Sequence, residues 1–178
     1  MAMVRPFVFQ LAGYQNSGKT TLAESMIRLL KEAGLSVASM KHHGHGGKPD
    51  IPEGKDSSRH MAAGADAVLV EGGGRLVLQA EKKLWALEDQ INLLCAFNPH
   101  VILIEGYKYA SYPKIILLRN SEEDKRLLEL ENIIAAVYWD NEPKVNAKYP
   151  LYPLLDKQTP GSLAKLILEK IECQDPQK

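Results

Sequence analysis

The chain has 178 residues, and its 22 Lys and Arg balance its 22 Asp and Glu, so the formal net charge is zero. That length suits one domain with a proper core, read here as residues 1–174, and the charge balance gives no global attraction to nucleic acid or an anionic membrane. Cys95 and Cys173 lie far apart with no CxxC pair, which argues against a disulfide framework and for a reducing, cytoplasmic setting; no run reaches the length of a membrane span.

The first element is the apolar run Phe7–Gly13, "FVFQLAG", which reads as a buried strand. Leu22, Met26, Leu29, Leu30 and Ala33 then recur at helical spacing, and Gly34 supplies a stop. "SVASMK" (Ser36–Lys41) reads as a second strand, completing a βαβ unit with parallel strands. Residues 42–55, "HHGHGGKPDIPEGK", form a long loop, a kind that is functional or disordered inside compact domains. A short helix over Asp56–Ala63 ends at Gly64, and "AVLVEG" (Ala67–Gly72) and "RLVLQA" (Arg75–Ala80) read as strands. Leu87, Ile91, Leu94 and Cys95 share a helix face before Pro99 blocks continuation. "VILIEG" (Val101–Gly106), "KIILLRN" (Lys114–Asn120) and "IIAAVYW" (Ile133–Trp139) are near-continuous apolar runs, as expected for strands buried on both faces. Thr159 as cap and Pro160 at the first helical position start a final helix. The alternation predicts an α/β class, a mostly parallel β-sheet with helices on both faces.

Gly13-Tyr14-Gln15-Asn16-Ser17-Gly18-Lys19-Thr20 satisfies G-x-x-x-x-G-K-[ST] between a strand and a helix. Such a loop curls its backbone N–H groups around phosphate oxygens at a helix N-terminus. Lys19, expected to be exposed, would reach the β- and γ-phosphates, and Thr20 would place its hydroxyl on Mg²⁺. The expected ligand is therefore a nucleoside triphosphate with Mg²⁺. A carboxylate near the metal belongs at the end of a neighbouring strand. Glu71 and Glu105 both end a "VEG" or "IEG" run, and Asp56 opens a helix; pattern alone does not choose among them. His42, His43 and His45 follow the second strand and suit an anion, a metal or a plain surface loop, with an anionic substrate favoured.

"NSGKTTL", "KHH", "GKDSSRHMAAGA", "LIEGYK" and "PKIILLR" occur in that order between about Phe7 and Arg119. This ordered set resembles the molybdopterin-guanine dinucleotide biosynthesis adapter family, MobB. The resemblance implies a P-loop NTPase fold, GTP with Mg²⁺ as ligand, weak GTPase activity and a homodimer. It implies as partner a MobA-like molybdopterin guanylyltransferase, with molybdopterin itself a possible ligand. By motif it marks Gly13, Asn16, Ser17, Gly18, Lys19, Thr20 and Thr21 as the phosphate loop. It favours Asp56 over a mere helix cap and Glu105 over Glu71, with Thr20, Glu105 and Asp56 toward the metal. Lys41, His42 and Arg119 fall at expected anion contacts. The N-K-x-D segment that reads guanine in many GTPases is missing, so guanine preference rests on the resemblance. The alternative is a small-molecule kinase or ligase using ATP with the histidine loop on its acceptor, although Arg59, Arg75, Arg119 and Arg126 do not gather into a lid.

Overall fold

The computed structural model describes residues 5–42, 56–119 and 124–174. In chain order its elements are β1 (Phe7–Gly13), α1 (Lys19–Glu32), β2 (Val37–Lys41), α2 (Asp56–Ala62), β3 (Ala67–Gly72), β4 (Arg75–Ala80), α3 (Leu87–Cys95), β5 (Val101–Glu105), β6 (Lys114–Leu118), α4 (Lys125–Leu128), β7 (Ile133–Tyr138), β8 (Leu151–Pro153) and α5 (Thr159–Gln174). They form two compact units, Met1–Gly44 with Ile91–Lys178, and His45–Gln90, so the boundary falls inside α3.

The first unit is built on a parallel sheet of order β2-β5-β1-β6-β7-β8. β1 is central, with Phe9 beside Leu103 of β5 and Leu11 beside Ile115 of β6. Every residue of β5 and β6 is buried, as their unbroken apolar runs predict for strands covered on both sides. Alternate residues feed two cores. Phe7, Phe9 and Leu11 meet Leu22, Met26 and Leu30 of α1 and Leu163 and Ile167 of α5. Ala12, Ile116, Leu118 and Ala136 meet Leu127 of α4 on the other face. Met26, Leu30, Leu163 and Ile167 are fully buried, and cutting one of them back to Ala should cost about 2–5 kcal/mol. α1 stops where the sequence predicts: Gly34 turns left-handed at φ 85°, and the Leu35 N–H donates to Leu30 O at 3.1 Å.

Two details differ from expectation. The Thr159 hydroxyl does not cap α5 but donates to Pro153 O at 2.6 Å, tying the helix to β8. β8 and α4 were not expected; three residues that follow Pro150 and end in Pro153, and a single helical turn, carry too little periodicity to read.

The second unit breaks the parallel pattern. β3 and β4 form an antiparallel hairpin joined by Gly73 and Gly74, both at positive φ, 58° and 78°, as a tight hairpin turn requires. Leu69 pairs with Leu78 and Val70 with Val77, and all four side chains are exposed, on both faces of the ribbon. Among the described residues no helix is long and apolar enough to cross a membrane.

Candidate functional site

Parallel strands leave their C-terminal ends on one edge of the sheet, where open α/β sheets take ligands. At that edge the loop Gly13–Thr20 leaves β1, Glu105 ends β5 and Lys41 ends β2, with Lys41 directly in register with Glu105. Gly18 is left-handed at φ 88° and forms the N-cap of α1 without a side-chain cap, and no acid sits in the helix's first turn. Nothing in the helix's own first turn therefore neutralises the partial positive charge of its N-terminus, which suits an anion.

Lys19 is half-buried rather than exposed. Its ammonium lies across the loop, donating to Tyr14 O at 2.6 Å and Ser17 Oγ at 3.2 Å. Burial pushes Lys19 below its ordinary 10.5; Glu105 pulls it back up, and Lys41 and Lys108 push it down further. The Thr20 hydroxyl donates to both Glu105 carboxylate oxygens, at 3.0 and 3.2 Å. Lys41 donates to Thr20 Oγ1 at 3.2 Å and pairs with Glu105 Oε1 at 3.2 Å. A hydroxyl and a carboxylate thus converge on a point that already draws a cation. These are hard oxygen donors, as Mg²⁺ prefers with the rest of its shell water, so Thr20 and Glu105 fit that ion.

Of the residues the sequence marks out, Lys19, Thr20, Lys41 and Glu105 are brought together. Asn16 and Thr21 are exposed on the loop and the first turn of α1, and Ser17 is buried beneath it. His42 is exposed, its ring 4.3 Å from that of Tyr107. His43 and His45 lie outside the described residues, and among those described no group of three His, Cys, Asp or Glu is placed to hold a metal. Asp56 belongs to the second unit, where it opens α2 and meets Arg59 at 3.6 Å. Glu71 is there too, at the hairpin turn rather than at the end of a parallel strand, accepting from the Gly74 N–H at 3.3 Å.

Arg119 follows β6, its N–H donating to Asp124 Oδ2 at 2.6 Å and its guanidinium 6.0 Å from the Trp139 ring centre. Trp139 itself was missed. Its indole N–H donates to Ser17 O at 3.0 Å, and the ring lies against Gly18 together with Leu154. The only sequence signal was an aromatic at the end of an apolar run, which core packing explains equally well.

Fold and site together define a P-loop α/β protein of the nucleotide-binding class. The family model for MobB, molybdopterin guanine dinucleotide synthesis protein B, matches residues 8–139. The chain is 46% identical over 144 residues, 80% of its length and 82% of the relative's, to a Bacillus subtilis protein described as "Probable molybdopterin-guanine dinucleotide biosynthesis adapter protein". The crystal structure of Bacillus subtilis MobB superposes with a TM-score of 0.77 at 39% identity, covering 92% of this chain and 96% of that one. A MobB homologue from Bacillus stearothermophilus gives 0.73 at 30% identity, covering 93% and 98%. The chain belongs to the MobB family.

Proposed function

We propose that the protein is a GTP-binding adapter with weak GTPase activity that assists attachment of GMP to molybdopterin by a MobA-like guanylyltransferase in the cytoplasm. The observation that carries this is one continuous family match, residues 8–139, spanning both the phosphate loop and Glu105. Within it the uncapped N-terminus of α1 and the oxygen donors of Thr20 and Glu105 support a Mg²⁺-nucleoside triphosphate as the ligand. Bound there, Mg²⁺ would neutralise charge on the β- and γ-phosphates. Lys19 would swing from Tyr14 O to the phosphates, and the bare N-terminus of α1 would cradle them. His42 and Arg119 complete the proposed set as anion contacts. The family favours this reading over a kinase or ligase.

The exposed apolar hairpin supports the homodimer: among the described residues it is a two-stranded ribbon with exposed Leu and Val on both faces, and such a ribbon is marginal in water. The decisive experiment is competition binding of GTP against ATP with Mg²⁺. A strong GTP preference supports the adapter, and a purified guanylyltransferase should then attach GMP faster when the protein is added. Equal or ATP-favouring binding would overturn the guanine reading.

A further inference from the structure

Between β5 and β6 the chain makes a turn, Gly106–Pro113, that the fold grips at both ends with buried polar side chains. Gln10, fully buried in β1, donates its amide to Gly106 O at 3.1 Å and to Tyr107 O at 2.7 Å. Lys114, 1% exposed, donates to Ala110 O at 2.9 Å, Tyr112 O at 3.1 Å and Glu131 O at 2.6 Å. Asn132 adds a bond to Ser111 O at 2.7 Å. Two successive residues are left-handed, Gly106 at φ 106° and Tyr107 at φ 49°. A Cβ on Gly106 would lie 3.0 Å from that of His42, so the turn is pressed against the end of β2. Surface connections normally let water satisfy their carbonyls. A buried ammonium and a strained tyrosine mark a turn held in one shape, and strain of this kind gathers at functional sites.

That turn carries Lys108. Its ammonium stands 4.3 Å from the ring centre of Tyr14, a phosphate-loop residue, and 5.3 Å from that of Tyr109. Tyr14 also gives its carbonyl to Lys19. Lys19, Lys41 and Lys108 therefore converge on the loop with Glu105 as counter-charge, and Glu105 already faces Lys41. The excess of positive charge calls for a polyanion. Lys108 follows Glu105 by three positions, on the turn that leaves β5, and a triphosphate carries more negative charge than a diphosphate, on its terminal phosphate. A cation resting on a partly exposed ring gains less than one donating to a phosphate oxygen.

We propose that Lys108, presented by the rigid Gly106–Pro113 turn, leaves the Tyr14 ring to bind the terminal phosphate, and so distinguishes a nucleoside triphosphate from a diphosphate. This rests on the nucleotide-binding reading above and adds a residue outside the phosphate-loop motif.

The test is calorimetric binding of a non-hydrolysable GTP analogue and of GDP, both with Mg²⁺, to the full chain and to Lys108→Met, Lys108→Arg and Lys19→Ala. Lys108→Met should weaken the triphosphate about tenfold, the loss of one charge-assisted bond, and the diphosphate less than about twofold. Lys108→Arg should restore most of the difference. Equal weakening of both ligands by Lys108→Met, or of neither, overturns the assignment. If Lys19→Ala abolishes both in that case, the phosphate loop stands and only Lys108 falls. If the unaltered protein binds neither nucleotide, the nucleotide reading fails and takes this proposal with it.

Discussion

Glu105→Gln separates a metal role from a structural one. The change keeps the shape and leaves an acceptor for the Thr20 hydroxyl, now 3.0 Å from the carboxylate, but removes the charge that faces Lys41 at 3.2 Å. The Lys41 side chain is 62% exposed, so freed of its partner it turns to water; an ion pair of this kind contributes at most about 1 kcal/mol. For a chain of 178 residues that is a fall of about 2–4 °C in melting temperature. A divalent ion feels the loss far more, since removing a supporting or direct carboxylate lowers metal affinity about 10–100-fold, or about 1.4–2.8 kcal/mol. Titrating Mg²⁺ into protein with a fluorescent GTP analogue gives the metal midpoint, and a thermal melt gives stability. The midpoint should rise by that factor while the melt falls by no more than about 2–4 °C, and Glu71→Gln on the hairpin should change neither. An unmoved midpoint, or an equal effect from Glu71→Gln, would refute the choice of Glu105.

Lys19→Ala should abolish triphosphate binding and leave the circular dichroism spectrum native; retained affinity in an equilibrium titration would remove the phosphate assignment. Lys114→Met strands three carbonyls that now share one ammonium, partly offset by relief of its desolvation, for a net loss of about 2–3 kcal/mol in urea unfolding. Burial holds Lys114 below its ordinary 10.5, with Glu131 pulling it back up. Between the folded value and 10.5 the unfolded chain binds more protons, so the wild type should gain stability over Lys114→Met as pH rises through that window. A gap that narrows there would contradict the buried-ammonium account. Val77→Lys charges one exposed face of the hairpin and should shift light scattering toward the monomer at equal concentration, and an unchanged mass would set the hairpin aside as a dimer surface.

The long parallel strands and the two layers of the first unit were legible because β5 and β6 are unbroken apolar runs and Leu22, Met26 and Leu30 keep a helical period. The phosphate loop was legible because its chemistry fixes residue types at fixed spacing. Glu105 and Glu71 could not be separated by pattern, since "IEG" and "VEG" say nothing about which strand a run pairs with. Register shows how their places differ: Glu105 is the partner of Lys41 in a parallel ladder, whereas Glu71 belongs to a glycine-turned hairpin. Gln10 and Lys114 were illegible for a related reason. A polar residue inside an apolar run reads as a blemish until the carbonyls it serves, far along the chain, are in view. Trp139 was hidden likewise, 122 residues from the carbonyl it binds.

The chain has two tryptophans, and the fold deals one to each unit. Trp85 lies beneath the Lys82 ammonium in the second, whereas Trp139 is bonded through its indole N–H to the phosphate loop in the first. Each unit thereby carries its own native fluorophore. With Trp85 changed to Phe, emission would come from one indole whose hydrogen-bond partner belongs to the loop itself. Nucleotide arrival could then be timed by stopped flow on unlabelled protein, and the loop's adjustment followed separately from any event in the hairpin.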